Sequence, residues 1–137
     1  MRFVDTNVLL YAISREPEDH DKAERANALL DAGDVALSVQ VLQEFYVQST
    51  RETRTDRITN EQAATLVESL LVFPIADITT GVVLAAIAAR ERFGISYWDA
   101  AIIEAARALG CGVVLSEDLS DGQDYAGVRV ENPFRGS

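Results

Sequence analysis

Residues Arg2–Ile13 read RFVDTNVLLYAI, an apolar stretch with a single carboxylate near its start. The pattern predicts a strand over residues 2–5 and a helix over residues 6–14, so Asp5 falls at the junction between two buried elements. Ionised carboxylates are rarely buried without a partner. Two interpretations are open for Asp5: it caps the helix that follows, or it belongs to a site where another group neutralises its charge.

The rest of the chain repeats this alternation of short apolar strands and longer helical segments. Further strands are predicted over residues 35–38, 74–77, 112–116 and 128–132. Helices are predicted over residues 20–32, 39–53, 60–72, 80–93 and 97–109. Short β-branched runs alternating with helices are typical of parallel strands joined by helical crossovers. We therefore predict an α/β, three-layer α/β/α domain with a central parallel sheet of four to five strands, formed as a single domain by residues 1–137.

Composition limits the possible functions. The 137 residues include 22 acidic and 12 basic side chains, giving a net charge of −10, and one cysteine. This charge argues against loose, non-specific nucleic-acid binding, which depends on many Lys and Arg contacts to phosphate. No apolar run is long enough to span a bilayer, so no membrane association is expected. The lone cysteine, which has no partner for an internal disulfide, favours a cytoplasmic location.

Four acids occupy positions that are unusual for solvated carboxylates. Ligands of parallel sheets bind beyond the carboxyl ends of the strands, where Asp5 and Asp118 follow the first and fourth strands. Glu44 borders an apolar helical stripe, and Asp99 shares a helix face with isoleucines. Glu104, in contrast, is expected near the polar side of its helix.

Taken singly, each acid has a structural explanation: a helix cap for Asp5, an ion pair or solvent for Glu44, the helix dipole for Asp99 and a turn for Asp118. Together they are expected to meet at one sheet edge. Two carboxylates ~4 Å apart repel by roughly 4 kcal/mol at an effective dielectric constant of about 20. Such a cluster requires protons or cations, and oxygen ligands without His or Cys favour Mg²⁺ or Mn²⁺ over Zn²⁺.

Other chemistries find little support. The sole histidine, His20, lies in a charged stretch and is expected to be solvated. No phosphate-binding glycine loop of the G-x-x-x-x-G-K-[ST] or G-x-G-x-x-G type occurs, so no nucleotide cofactor is indicated. No free histidine stands near a serine or cysteine, which leaves a hydrolase triad without a base.

The ordered set of D-T-N after the first strand, a Glu in the helix after the second, S-Y-W-D-A-A-I-I and then L-S-E-D resembles the PIN-domain family. Within that family the chain is similar to VapC-type ribonuclease toxins of type II toxin–antitoxin systems. The resemblance implies a Mg²⁺- or Mn²⁺-dependent endoribonuclease, a cognate antitoxin partner and a homodimer. It places the catalytic, metal-binding quartet on Asp5, Glu44, Asp99 and Asp118.

The same resemblance assigns supporting positions. Asn7 and Ser116 match residues that orient the acids, and Asp121, or less well Asp124, matches a further metal-binding acid. Arg51, Arg54 and Arg57 could hold RNA phosphates; their other interpretation is a solvated helix end. The mechanism expected is metal-assisted phosphodiester hydrolysis, with one or two cations.

Two alternatives remain open. The domain could be a PIN-fold partner-binding module with weak or no nuclease activity, because several apolar helical residues could form a groove for an amphipathic antitoxin segment. These residues, which could equally be ordinary core, are Leu42, Phe45, Tyr46, Leu66, Leu70 and Leu71. The domain could also be a PIN nuclease that acts on DNA or in RNA processing. The apolar helix at 82–93 is the candidate surface for the homodimer.

Overall fold

The computed structural model describes residues 1–135. Six strands run over β1 Arg2–Val4, β2 Val35–Ser38, β3 Ile75–Ala76, β4 Val113–Leu115, β5 Asp124–Tyr125 and β6 Val128–Glu131. Six α-helices run over α1 Thr6–Ala12, α2 His20–Ala32, α3 Val39–Ser49, α4 Asn60–Leu70, α5 Thr80–Phe93 and α6 Tyr97–Ala108. A short 3₁₀ turn, Pro17–Asp19, precedes α2.

The strands form one sheet in the order β3-β2-β1-β4-β6-β5. Every neighbouring pair is parallel except β5 and β6, which form an antiparallel hairpin at the edge. This confirms the predicted α/β class with a central parallel sheet. The sheet has one strand more than the four to five expected, because β5 has only two residues and no apolar run that would predict it.

Residues of the central strands form much of the hydrophobic core. All four residues of β2 are buried, and Phe3, Val4, Val114 and Leu115 are between 0 and 2% exposed. The path of the chain explains why helices cover both faces of the sheet. Strands β1, β2 and β3 are added one after another towards one edge, and the chain then crosses back over β1 to form β4 on its other side. Because such crossovers are right-handed, the return helices α5 and α6 lie on the face opposite α1 to α4.

Helix α6 is enclosed between α5 and the sheet, and every residue from Ala100 to Ala106 is buried. The expectation that Glu104 faces the polar side is therefore wrong: its side chain is buried. It is neutralised by Arg107, whose Nε donates to Glu104 Oε1 at 3.0 Å. A helix packed on two sides has no polar face over these turns, so periodicity alone could not place this acid.

Helix α3 ends at Ser49, earlier than the predicted Thr53. The hydroxyl groups of Ser49 and Thr50 both donate to the Tyr46 carbonyl, and this local bonding competes with further helical turns. The chain then forms a loop from Arg51 to Ile58. Buried Asp56 secures this loop by accepting from the Arg15 amide at 3.0 Å and pairing with Arg54 at 2.8 Å.

The predicted starts of α4 and α6 are confirmed by the hydrogen bonds of their capping residues. Thr59 and Gln62 form a reciprocal capping box at the start of α4. The Ser96 hydroxyl accepts from the Asp99 amide at 3.1 Å at the start of α6. Within residues 1–135, no helix is both long enough and apolar enough to cross a membrane.

Candidate active site

Two chain segments far apart in sequence meet at the carboxyl edge of the sheet. β1 and β4 are neighbours, with Val4 paired to Leu115, so that Asp5 and Ser116 emerge side by side. The Asp5 amide donates to the Leu115 carbonyl at 3.0 Å, which extends the ladder by one residue. The topology thus brings the ends of the first and fourth strands together, as the sequence predicts.

Asp5 both caps α1 and takes part in the polar cluster. Its Oδ1 accepts from the Thr6 amide at 2.8 Å, and its Oδ2 accepts from the Ser116 hydroxyl at 2.7 Å. Burial raises the pKa of the Asp5 carboxyl from 3.8 to about 6, against the lowering effect of the Ser116 and Thr6 hydrogen bonds. The nearby negative charges of Glu44 and Asp118 raise it further. Asp5 therefore caps α1 and at the same time lies close to other acids.

Asn7 connects three groups of the cluster. Its side-chain Nδ2 lies 3.3 Å from Asp5 Oδ2, 3.2 Å from Ser116 Oγ and 3.2 Å from Asp118 Oδ2. Its Oδ1 accepts from the Glu117 amide at 3.1 Å. Asn7 therefore links Asp5, at the end of β1, to the loop after β4 through both the nitrogen and the oxygen of its side-chain amide.

Ser116 fixes the turn that carries Asp118. The buried Ser116 hydroxyl donates to Asp5 and accepts from the backbone amides of Asp118 and Leu119 at 3.1 and 3.3 Å. These contacts determine where the Asp118 side chain stands relative to Asp5. Asn7 and Ser116 thus both form hydrogen bonds with the Asp5 carboxylate.

Glu44 and Asp99 approach the same place from α3 and α6. One cavity of about 100 Å³ is lined by all four predicted acids together with neighbouring polar and apolar side chains. Its lining residues are Asp5, Thr6, Asn7, Leu10, Gln40, Glu44, Gln48, Trp98, Asp99, Ile102 and Asp118. We call this space the acidic cavity. The structure therefore brings Asp5, Glu44, Asp99 and Asp118 together.

Gln40 is a supporting residue that the sequence analysis missed. Its Nε2 donates to Glu44 Oε1 at 2.8 Å and to the Trp98 carbonyl at 3.3 Å, and its side chain is largely buried. It therefore joins α3 to the start of α6 and holds Glu44 towards the acidic cavity. The spacing of four residues before Glu44 on one helix face was the available signal.

Glu117 faces away from the acidic cavity and anchors the loop after β4. Lys22, the only lysine in the sequence, places Nζ 2.5 Å from Glu117 Oε2, and the Tyr11 hydroxyl donates to Oε1 at 2.5 Å. Burial opposes ionisation of Glu117, but Lys22 and Tyr11 together hold its pKa below the usual value. This contact fixes the loop that carries Asp118 against α1 and α2.

Asp121 takes part in other contacts. It accepts from the Asn132 amide at 2.8 Å and pairs with Arg135, and these bonds lower its pKa. Asp124, the poorer candidate, accepts from the Gly127 amide in the β5–β6 hairpin. Neither residue lines the acidic cavity, so the structure does not group either with the other four acids.

The three predicted arginines have different environments. Exposed Arg51 lines a second cavity, of about 390 Å³, which shares Gln40, Glu44, Gln48 and Trp98 with the acidic cavity. Arg54 pairs with Asp56 and donates to the Leu10 carbonyl at 3.4 Å, and it lines a recess of about 200 Å³ beside Asn7 and Asp118. Arg57 is exposed in the same loop and lines neither cavity. The loop thus brings Arg51 and Arg54 to two sides of the acidic cavity.

The donor set fits a hard divalent cation. Four carboxylates supply oxygen ligands, and Asp5 is largely buried among other acids, an arrangement that a cation would stabilise. In residues 1–135, three ligand atoms come within 4.8 Å of one another only in the exposed group His20, Asp21 and Glu24. The four acids of the acidic cavity are more widely spaced than that group.

The apolar residues considered for a partner groove separate into two groups. Phe45 and Leu70 are buried in the core, and Leu42 and Leu66 pack against it. Tyr46 and Leu71 are exposed, as are their neighbours Val47 and Val72. The exposed apolar surface on this side is therefore narrower than the sequence pattern indicates.

The protein is thus an α/β domain whose four grouped acids lie beyond the carboxyl ends of the parallel strands. The PIN domain family model matches residues 2–120. The chain belongs to the PIN domain family, which confirms the resemblance found in the sequence.

Solved structures agree in fold. A toxin–antitoxin complex from Klebsiella pneumoniae superposes with a TM-score of 0.70 at 20% identity, covering 98% of each chain. DNA-bound VapBC from Salmonella typhimurium gives 0.66 at 22% identity, covering 96% of this chain and 97% of that one. VapC20 from Mycobacterium tuberculosis, a sarcin–ricin loop cleaving toxin, gives 0.62 at 17% identity over 86% and 90%. Curated protein sequences give no significant match.

Proposed function

We propose that this PIN domain is a Mg²⁺- or Mn²⁺-dependent endoribonuclease. The observation that carries the proposal is the acidic cavity, where Asp5, Glu44, Asp99 and Asp118 converge from four separate elements. Structural acids have no reason to meet in this way, because their mutual repulsion destabilises the fold unless a cation is bound. The fold of VapC20, whose described target is an RNA loop, supports RNA as the substrate.

The residues have distinct roles in this proposal. Asp5 and Asp99 would be the chief metal ligands, and Glu44 and Asp118 would bind metal directly or through water. Asn7, Ser116 and Gln40 hold three of these carboxylates in place by hydrogen bonds. A bound divalent cation activates water for attack on a phosphodiester and neutralises the charge that develops on the phosphate.

A cleavage assay tests the activity. Purified protein is incubated with structured RNA in Mg²⁺, in Mn²⁺ or in EDTA, beside single-stranded DNA of the same sequence. We expect endonucleolytic RNA cleavage that requires the cation and is absent in EDTA. Cleavage of equal extent in EDTA, or cleavage of the DNA alone, would contradict the proposal.

The hydrogen bonds of Asn7 give a further prediction. Replacing a residue that hydrogen-bonds to metal ligands lowers metal affinity or enzymatic activity by roughly 10- to 100-fold. We therefore expect Asn7→Ala to reduce the rate of RNA cleavage by that factor. Asn60→Ala, at the exposed start of α4, serves as the control and should cleave normally. A variant lacking Asn7 with unchanged turnover would show that Asp5 and Asp118 need no orienting amide.

We further propose that the enzyme is the toxin of a toxin–antitoxin pair, acting in the cytoplasm. The similarity to the folds of several proteins described in toxin–antitoxin complexes supports this role. The exposed apolar side chains of Tyr46, Val47, Leu71 and Val72 offer a surface for an amphipathic antitoxin segment. Expression alone should arrest growth, and co-expression of the product of an adjacent reading frame should relieve it.

A homodimer is the third part of the proposal. Leu84 and Ile87 of α5 are 68% and 54% exposed, one turn apart on the same helix face. Exposed apolar side chains grouped in this way are typical of protein interfaces. Light scattering, compared with the chain mass of 15.0 kDa, measures the assembly directly.

A further inference from the structure

Trp98 is an exposed aromatic side chain next to a proposed metal ligand. It precedes Asp99, is 67% exposed, and is the only tryptophan in the sequence. An indole ring left in solvent forgoes the large stabilisation that its burial provides, and such rings are enriched where proteins bind partners. The fold therefore leaves unused apolar surface beside the acidic cavity.

Two contacts hold this residue in place. The Trp98 carbonyl accepts from Gln40 Nε2 at 3.3 Å, which ties its backbone to α3. Its ring lies nearly perpendicular to that of Tyr97, with an interplanar angle of 83° and ring centroids 5.1 Å apart. The indole is thus supported by its neighbours while most of its surface stays open.

Trp98 lines the acidic cavity, the larger cavity next to it and a third, smaller cavity beside Tyr97. The larger cavity has a volume of about 390 Å³ and shares Gln40, Glu44, Gln48 and Trp98 with the acidic cavity. We call this larger cavity the amide cavity, because Gln40, Gln43 and Gln48 form much of its wall. A group seated in the amide cavity and covalently joined to a phosphate could therefore place that phosphate at the acids.

The lining of the amide cavity fits a nucleobase. The Gln43 and Gln48 side chains offer both donors and acceptors, as base edges require, and Trp98 offers a π face. Arg51 lies at the same cavity and can contact a flanking phosphate. A purely apolar peptide segment would leave these amide groups desolvated and unpaired, which disfavours it as the occupant.

Overall charge makes such a contact necessary. With a net charge of −10, the protein cannot hold RNA by bulk electrostatic attraction. Stacking on an aromatic ring does not depend on the protein's charge and tolerates any base sequence. It is therefore the available source of affinity next to a site that, before a cation binds, repels phosphate.

We propose that Trp98 and the amide cavity form a nucleobase subsite, in which an unpaired base of single-stranded RNA stacks on the indole next to the scissile phosphate. The substrate class deepens the proposed nuclease function and rests on it. The subsite predicts that the enzyme selects unpaired RNA segments, because a base within a duplex cannot reach the indole face.

Trp98 fluorescence tests this directly, since no other tryptophan contributes. The wild-type protein is titrated in Mg²⁺ with a short single-stranded RNA whose phosphorothioate linkages resist cleavage, and with the same strand carrying abasic sites. We expect the intact RNA to quench the emission and the abasic strand to quench it much less. Equal quenching by both strands, or none by either, would overturn the subsite.

Affinity measurements with labelled RNA supply the matched variants. Stacking of one base on an aromatic side chain corresponds to roughly 5- to 150-fold in affinity, so Trp98→Leu should weaken binding by that factor. Trp98→Phe should keep most of the affinity, and Asn60→Ala, at the exposed start of α4, should keep all of it. Equal affinities of the Trp98→Leu variant and its parent would refute the proposal.

These outcomes separate the subsite from the nuclease. In the otherwise wild-type enzyme, Trp98→Leu should raise KM for unpaired RNA by the same factor and leave kcat nearly unchanged. Cleavage that is independent of Trp98 would remove the subsite and leave the nuclease intact. If the wild type bound RNA in a Trp98-dependent way but did not cleave it, the nuclease proposal would fail and the subsite would stand.

Discussion

Asp5→Asn and Asp99→Asn should each lower metal-dependent RNA cleavage by more than about 100-fold, beyond the effect of losing an outer orienting residue. Each change replaces a charged oxygen ligand by a neutral amide and turns an NH₂ group towards the cation. Asp5 is the more sensitive position, because its carboxylate is fixed by Thr6 and Ser116 and has no freedom to compensate. Initial cleavage rates at saturating Mg²⁺ measure the loss.

Asp31→Asn is the matched control for these two variants. It makes the same change in net charge at an exposed position on α2, away from the acidic cavity. We expect its cleavage rate to equal that of the wild type. If both Asp5→Asn and Asp99→Asn kept full metal-dependent activity with normal circular dichroism, the assignment of the acidic cavity as the active site would be wrong.

Metal-free protein should become more stable as the pH falls from about 7 towards 5, opposite to ordinary acid denaturation. Burial raises the folded-state pKa of Asp5 to about 6 from 3.8. Between these two values the folded state binds the proton and the unfolded state does not, so each fall in pH favours folding. The gain in the free energy of unfolding is about 1.3 kcal/mol between pH 7 and 5 and approaches about 3 kcal/mol only below pH ~3.8. Above pH ~7 both states are ionised and the gain vanishes, and bound metal also removes it.

Urea denaturation at several pH values, with and without Mg²⁺, measures this effect. In EDTA the Asp5→Asn variant should lose the rise in stability between pH 7 and 5 and should equal or exceed the wild type at pH 7.5. Mg²⁺ should stabilise the wild type at pH 7.5, as any ligand that binds only the folded state does, and should stabilise the variant little. A wild-type stability that instead falls steadily from pH 7 to 5 would contradict a buried, destabilising carboxylate at position 5.

The local sequence was sufficient to predict the elements that place the site. Strong apolar runs marked the central strands, and Asp5 and Ser116 fall at the ends of two of them. Parallel pairing of the strands then brings those ends to the same edge of the sheet, independently of the conformation of the connecting loops. Glu44 and Asp99 were visible because they interrupt apolar helical faces, a pattern that depends only on neighbours three and four residues away.

Features set by contacts between distant segments were not predictable in this way. Gln40 is polar in a partly polar helix, and its role depends on the Trp98 carbonyl 58 residues later. Glu104 is buried because α5 covers α6, and the α3 end at Ser49 is accompanied by hydroxyl bonds to the Tyr46 carbonyl that no apolar pattern indicates. Asp121 looked suitable by proximity to Asp118, yet Asn132 and Arg135, beyond the fourth strand, determine where it points.

The hydrogen bond from Ser116 to Asp5 spans 111 positions of the sequence. A chain still being translated cannot form this contact until its fourth strand has left the ribosome, nor can Asn7 engage the turn that bears Asp118 before then. The acidic cavity is therefore incomplete throughout most of synthesis. Under the proposed function, a nascent chain that ends before Asp118 lacks one of the four acids and should therefore cleave no RNA.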